Sequence, residues 1–355
     1  MKKILLHDVQ YEIGGPNSVL NNITNSYLSQ KFNFVRITQK GGCGYNPIKA
    51  IRFIWHYVKL INREHADAIY ICGLQYVGFL MTLAAKLSNV KKIILSIHGS
   101  DWDTPDNTLR KRILMYIIEP LEIKWADCVF TVCKSAQKSI NALRYAKKGT
   151  NRGVVYNTIP TFDECRNLGK LRSLLNISNN KIIVASVGRV VYTKGHQYII
   201  EAIKKLNDKD FVFVIIGDGE YLKEYQKRCT QEIQEKRLFL LGKRNDVKEL
   251  LEDADIFLFA TLNENHSIAL LEAVSAHCAI IATNVGGNPE IIHNNNSGII
   301  ISPCNSDMIV KSLKRLRDPA LRELYSKNAF EYASTYFSTK NTLGKLQKIF
   351  EEQTR

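Results

Sequence analysis

The sequence predicts an α/β protein of two successive units, each a parallel sheet flanked by helices, with a cleft between them. Three observations carry this expectation. Short apolar segments alternate with amphipathic ones along the first half of the chain. The alternation breaks at Asn157-Thr-Ile-Pro160-Thr-Phe-Asp163, and mostly polar residues follow to Lys170. It then starts again and runs on for a similar length. At 355 residues the chain is long for a single core. One large doubly wound sheet is the competing architecture.

In the first half, Lys3–His7, Phe34–Thr38, Ala68–Cys72, Lys92–Ile97, Cys128–Val132 and Gly153–Tyr156 have the apolar, β-branched character of buried strands. Helical periodicity fills the gaps at Ser18–Gln30, Pro47–Glu64, Val77–Ser88, Asn107–Lys124 and Lys134–Tyr145. In the second half the strands are Ile182–Val187, Phe211–Ile216, Leu238–Leu241, Ile256–Ala260, Ala279–Thr283 and Gly298–Ile301. The helices there are His196–Leu206, Tyr221–Glu235, Val247–Glu252, Ile268–His277 and Met308–Leu316. The units are expected at 1–158 and 159–335, with 336–355 a helix returning toward the first unit.

Charge is unevenly placed. The net charge is +15, and residues 1–160 hold 22 Lys/Arg against 10 Asp/Glu. A basic half favours anionic partners such as phosphates or acidic lipid. No apolar run reaches the roughly 20 residues that span a bilayer, and the apolar stretch after Met1-Lys2-Lys3 is too short for a signal peptide. The eight cysteines (43, 72, 128, 133, 165, 229, 278 and 304) form no C-x-x-C pair and no zinc spacing, which suits reduced thiols in a cytoplasmic protein.

Several motifs sit where strands should give way to helices. Glu264-Asn265-His266-Ser267-Ile268 follows the strand ending at Ala260 and opens a helix carrying Glu272. Open α/β sheets bind ligands at such junctions, and a helix start favours an anion. Two carboxylates suit neighbouring hydroxyls, so a nucleotide sugar fits: phosphates at the helix start, hydroxylated rings on either side. Taken singly, each glutamate reads more readily as solvated; the pair is harder to dismiss, because apolar Ile268, Leu270, Leu271 and Ala273 surround Glu272, and a buried Glu needs a partner. Gly188-Arg189 and Lys194-Gly195 offer a fork and a point charge for a diphosphate. Gly217-Asp218-Gly219 reads as a tight turn. In Gly242-Lys243-Arg244-Asn245, backbone amides could read a nucleobase edge with Lys243 and Arg244 pointing outward. His98, before Gly99-Ser100-Asp101, is expected to face the cleft, near a sugar hydroxyl or the breaking bond. Gly14-Gly15 would let a ligand approach the backbone. Two basic amphipathic stretches, Lys49–Arg63 and Arg110–Ile118, could lie on an anionic membrane surface.

Taken in order, Gly14-Gly15, His98-Gly-Ser-Asp101, Gly188-Arg189 with Lys194-Gly195, Gly217-Asp-Gly219, Leu241-Gly242, Glu264-x7-Glu272 and Gly286-Gly287-x-Pro289-Glu290 resemble the retaining glycosyltransferases of family four, which have the GT-B fold. The resemblance covers nearly the whole chain and is strongest over 180–300. It implies two Rossmann-like domains with parallel sheets facing across a cleft. It implies that Glu272 binds ribose hydroxyls, that Glu264 binds the donor sugar, and that Arg189 and Lys194 hold the diphosphate and stabilise the departing nucleotide. Lys243, Arg244 and Asn245 would line the base, and Gly15 and His98 would complete the donor site. It implies no cofactor and no metal, retention by front-face attack, and His98, Arg189, Lys194 and Glu264 as the catalytic set. Asn265 and His266 stand where the family more often has Gly and Phe, so His266 could contact sugar or acceptor; Ser267 is a tolerated variant. The expected partners are a nucleotide-sugar donor and a glycan or lipid-pyrophosphate-linked acceptor, at the inner face of the cell membrane, in surface polysaccharide assembly. A nucleotide-sugar epimerase of the same architecture is the alternative. A nucleic-acid binder, suggested by the basic charge, lacks the aromatic-basic motifs of RNA modules, and nucleic acid is not expected as a partner.

Overall fold

The computed structural model describes residues 1–9, 15–39, 46–74, 76–99, 108–160, 169–293 and 296–355. The expectations placed on Gly14, Cys43, Ser100, Asp101, Asn107, 161–163 and Cys165 lie outside these residues. The chain divides into two compact units, Met1–Thr158 with Thr339–Arg355, and Ile159–Ser338. Each has its own six-stranded sheet, so the single large sheet is excluded.

In the first unit the strands are β1 (Lys2–Val9), β2 (Phe32–Gln39), β3 (Ala68–Cys72), β4 (Lys92–Ile97), β5 (Cys128–Thr131) and β6 (Asn151–Val154), all parallel, in the order β2-β1-β3-β4-β5-β6. The period of two divides their side chains between two cores. Leu5, Ile69, Ile71, Leu95 and Val129 pack beneath helices 47–64 and 76–86. Ile4, Leu6, Tyr70, Ile94 and Phe130 face the other way, toward helix 15–24 and the C-terminal helix Thr339–Gln353. Phe350 of that last helix meets Phe32 edge-on with ring centroids 5.5 Å apart. Helix Pro47–Glu64 begins where Asn46 accepts from the amides of Ile48 and Lys49 and Pro47 presets the first turn. The predicted helix through Lys124 contains a π turn, Leu114–Ile118, just ahead of Pro120. A proline cannot supply the i→i−4 bond, and the wider turn absorbs that loss.

The second unit holds β7 (Ile182–Val187), β8 (Phe211–Ile216), β9 (Leu238–Leu240), β10 (Ile256–Phe259), β11 (Ala279–Thr283) and β12 (Ile299–Ile301), parallel, in the order β12-β11-β10-β7-β8-β9. β7 and β10 are neighbours at the centre. From β7 the chain proceeds to β8 on one side, and from β10 to β11 on the other. Loops leaving the carboxyl ends of such a pair diverge and open a crevice. The helix expected at Tyr221–Glu235 is two helices, Leu222–Arg228 and Thr230–Gln234, broken at Cys229. The described cysteines are free thiols; all but Cys304 are buried.

Candidate functional site

The carboxyl ends of β7, β8, β9, β10 and β11 carry the glycine-rich loops, and backbone contacts fasten these loops to one another. Gly217 donates to the Gly242 carbonyl at 2.8 Å, and Val190 donates to Asp218 at 2.9 Å. A Cβ on Gly217 would lie 2.8 Å from the Gly188 carbonyl carbon, and one on Gly219 would lie 2.7 Å from that of Val190. Gly-Asp-Gly is therefore the point where the β7 and β8 loops touch. Gly195, at φ 70°, sits against Ala260 at the end of β10. The Thr193 carbonyl accepts from the Leu262 amide at 2.8 Å and from the Thr261 hydroxyl at 3.1 Å. Gly286, at φ 54°, presses on the Glu264 carbonyl, and Gly287 donates to Asn265 at 2.7 Å.

This scaffold sets Lys194 beside Glu264. Their Nζ and Oε2 atoms are 2.7 Å apart, and each side chain is 19% exposed. Lys194 also lies 5.8 Å from the centre of the Phe259 ring. A lysine has three donors, so it can hold Glu264 and an incoming phosphate oxygen together. Arg189 leaves the same β7 loop with an exposed side chain. Ser267 caps helix Ile268–Ser275 by accepting from the Leu270 amide at 3.2 Å. The first amides of that helix have no acceptor within the helix and carry the positive end of its dipole.

Glu272 lies within this helix, half-buried. Desolvation pushes its carboxyl pKa up to about 7, with Lys248 near enough to pull it partly back. Lys248 lies in the first turn of helix Val247–Leu251, which follows the Gly242 loop, so Glu272 and the end of that loop share one side of the site. Lys243 and Asn245 are exposed. Arg244 is partly exposed, and a neighbouring carboxylate holds it. Its Nε and Nη2 bond both oxygens of Asp246 at 2.8 and 2.7 Å, and Lys170 joins Asp246 at 2.9 Å. The Arg244 bond holds the Asp246 carboxyl well below the usual carboxylate range. Arg244 thus tethers the loop.

His266 differs from expectation. It is buried edge-on against Phe337, ring centroids 4.9 Å apart, so its ring supports the loop from within the second unit. Asn265 is buried, and Ile268 opens the helix. The hydroxyls of Thr261 and Thr283 were not singled out in the sequence, yet Thr283 Oγ1 donates to the Thr261 carbonyl at 2.6 Å and joins two strand ends. Their only signal was threonine at the end of an apolar strand beside a glycine-rich loop.

Gly15 and His98 belong to the first unit. Gly15 opens helix Gly15–Thr24. His98 turns into its own unit rather than outward. It lines a cavity of about 20 Å³ with Tyr70, Ser96, Asn157 and Thr342, and its Nε2 lies 3.0 Å from Ser96 Oγ. Desolvation lowers its pKa to about 4, so the imidazole is neutral at neutral pH. Among the described residues, no group of three or more His, Cys, Asp or Glu is placed to hold a metal ion.

Comparison with known proteins gives consistent matches. The family described as "Glycosyl transferases group 1" matches residues 170–332, and "Glycosyl transferase 4-like" matches 17–133. The UDP-Gal:alpha-D-GlcNAc-diphosphoundecaprenol alpha-1,3-galactosyltransferase of Escherichia coli is 27% identical over 85% of this chain and 80% of its own. The N-acetyl-alpha-D-glucosaminyl L-malate synthase of Bacillus anthracis is 24% identical over 98% and 90%. Among solved structures, the Anabaena HepE protein in complex with UDP-glucose superposes with a TM-score of 0.78 at 18% identity, covering 99% of this chain and all of that one.

Proposed function

For a chain that belongs to the family-four glycosyltransferases of GT-B fold, we propose transfer of a sugar from a uridine-diphosphate donor to a lipid-pyrophosphate-linked glycan, with retention at the anomeric carbon and without a metal ion. The adjacent Lys194 and Glu264 at the β7/β10 switch point carry the donor reading. They offer a cation for the diphosphate and an acid for the sugar hydroxyls from one rigid corner. Arg189 and the start of helix 268–275 add positive potential where the leaving nucleotide gathers charge, which is the role a metal would otherwise fill. Glu272, ionised, accepts from the ribose hydroxyls. The base lies along Lys243–Asn245, with Arg244 fixing that loop through Asp246. Retention follows if the acceptor attacks from the leaving-group side and the donor's own phosphate takes its proton. The lipid-linked acceptor is supported by the E. coli relative, whose name specifies a diphosphoundecaprenol-linked sugar. The place in bacterial surface polysaccharide assembly is inferred on the same ground.

Membrane contact belongs to this proposal. Among the described residues no helix is long and apolar enough to cross a membrane. Ile48, Ile51 and Trp55 are more than half exposed along one face of helix 47–64, with Lys49, Arg52 and Lys59 exposed around them. Leu109, Ile113, Tyr116 and Ile117 form a second exposed apolar row beside Arg112. Both helices follow parallel strands of one sheet and so start at its carboxyl edge. Helix Tyr76–Lys86 packs on the first through Leu80 against Ala50, and on the helix Glu119–Trp125 that continues the second through Phe79 stacked on Trp125 at 5.6 Å. An apolar surface ringed by cations suits an anionic bilayer.

The test is transfer by the purified protein from a panel of nucleotide sugars to a synthetic polyprenyl-diphosphate sugar in EDTA, with the product's anomeric configuration read by NMR. Retained configuration in EDTA is expected. An inverted product, or a strict need for added metal, overturns the mechanism; conversion of the donor without any acceptor would favour an epimerase.

A further inference from the structure

Thr261 stands two residues past the end of β10 and is fully buried. Its Oγ1 lies 3.1 Å from the Thr193 carbonyl oxygen and 2.9 Å from that of Asn263. A hydroxyl has one proton to give. Both neighbours are acceptors, so that proton is shared between them in a three-centre bond. Each acceptor immediately precedes one member of the ion pair: Thr193 comes before Lys194, and Asn263 before Glu264. The bond to Asn263 is a local one, of the kind a threonine makes within its own turn. The bond to Thr193 reaches 68 residues back along the chain. Thr261 is in turn held from behind, where Thr283 Oγ1 donates to its carbonyl at 2.6 Å and Asn288 Nδ2 donates to the Thr283 carbonyl at 3.2 Å. Thr283 and Asn288 are buried as well.

We propose that Thr261 is a positioning residue for the Lys194–Glu264 pair: its one buried hydroxyl proton, shared by the carbonyls of Thr193 and Asn263, sets the spacing of the two backbones from which the cation and the acid reach the donor. The consequence for the reaction rests on the donor reading of that pair. Lys194 carries its charge on a flexible four-carbon stem. Where that charge meets Glu264 is therefore decided first by where the two backbones stand. Packing alone does not ask for a hydroxyl at this position, because valine has the same shape, and burying a hydroxyl without a bond costs stability. The proton is what threonine adds, and both of its acceptors flank the pair.

Donor kinetics in a double-mutant cycle on the full chain test this, with Tm taken on every variant so that activity is compared per folded molecule. Thr261→Val keeps the branched shape and loses the proton. Thr261→Ala loses the proton without bringing a methyl against the two carbonyls. Each should lower donor kcat/KM by about tenfold through loss of orientation, and Thr261→Ser, which keeps the hydroxyl, should recover most of that loss. On a Lys194→Ala background the same changes at 261 should cost little more, because a residue that acts through the pair has nothing left to place. A fully additive loss, the mark of general loosening, overturns the proposal. So does wild-type kcat/KM in Thr261→Val or Thr261→Ala while Lys194→Ala is impaired, or a Thr261→Ser enzyme as weak as Thr261→Ala. Wild-type donor kinetics in Lys194→Ala itself removes the donor reading of the pair, and the role of Thr261 falls with it.

Discussion

Replacing Gly286 with alanine tests whether the glycine lashings set the geometry of the site. Gly286 has φ 54°, and a Cβ there would lie 2.7 Å from the carbonyl carbon of Glu264, with the oxygen closer still. Ordinary carbon contacts need about 3.5 Å, so the Glu264 backbone must retreat on the order of 1 Å. That carries the Lys194–Glu264 pair with it. A displacement of this size at a reacting centre costs about 10²-fold, or about 2.7 kcal/mol in kcat/KM for the donor. The left-handed backbone adds about 1–2 kcal/mol of lost stability, which lowers Tm by about 2–8 °C in a unit of this size. Gly298→Ala is the control. Its Cβ would crowd Ile292 at 2.9 Å at φ 150°, just before β12 and so at the amino edge of the sheet. It should lose comparable stability and keep its activity per folded molecule. Donor kinetics and Tm on both variants decide the matter. Gly286→Ala with wild-type kcat/KM, or an equal kinetic loss in Gly298→Ala, refutes the reasoning.

Three further outcomes are expected. The Glu272 carboxyl keeps its proton up to about pH 7 in the fold but loses it near 4.5 in the unfolded chain. Its charging therefore costs stability between those values, and Tm of Glu272→Gln relative to wild type should rise from pH 5 to pH 8. Wild-type donor affinity should improve through pH 7 while the Gln variant's stays flat; parallel curves would contradict the raised pKa. Lys194→Ala should lower donor turnover by about 10²-fold and weaken the fold slightly by leaving the Glu264 carboxylate half-buried without its ion pair; steady-state kinetics and Tm measure both. Ile51→Glu combined with Trp55→Glu should abolish flotation with phosphatidylglycerol vesicles while leaving transfer to a short water-soluble acceptor within about twofold of wild type; unchanged flotation would remove those residues from the membrane-facing surface.

The strands were the most legible part of the sequence, because parallel strands buried on both faces are unbroken apolar runs; Ala68–Cys72, Phe211–Ile216 and Ala279–Thr283 coincide with their predicted limits. Helix Pro319–Tyr336 escaped notice because, apart from Tyr325, the residues it buries are the small Ser326, Ala329 and Ala333, which leave little apolar stripe. The break at Cys229 carries no Gly or Pro to announce it. In the site, the sequence pointed to Lys194 and Glu264 separately, and the fold brings them within 2.7 Å because β7 and β10, distant in sequence, are neighbours. What the sequence withheld was long-range pairing. The need for glycine at 286 lies in a carbonyl 22 residues earlier, and the partner of Arg244 two residues away competed with an equally plausible outward-facing cation. His98 was visible as a strand-end histidine, but its inward turn depends on Ser96 and on a helix from the far end of the chain.

Calorimetric titration with UDP and UMP on the wild type and on Arg189→Ala and Lys194→Ala measures the grip on the diphosphate most directly. The account predicts that wild-type protein prefers UDP over UMP by at least about tenfold and that each variant loses most of that preference, in line with the roughly 1.5–3 kcal/mol of a hydrogen bond to a charged group. Equal affinity for the two nucleotides in the wild type, or an undiminished preference for UDP in both variants, would contradict it.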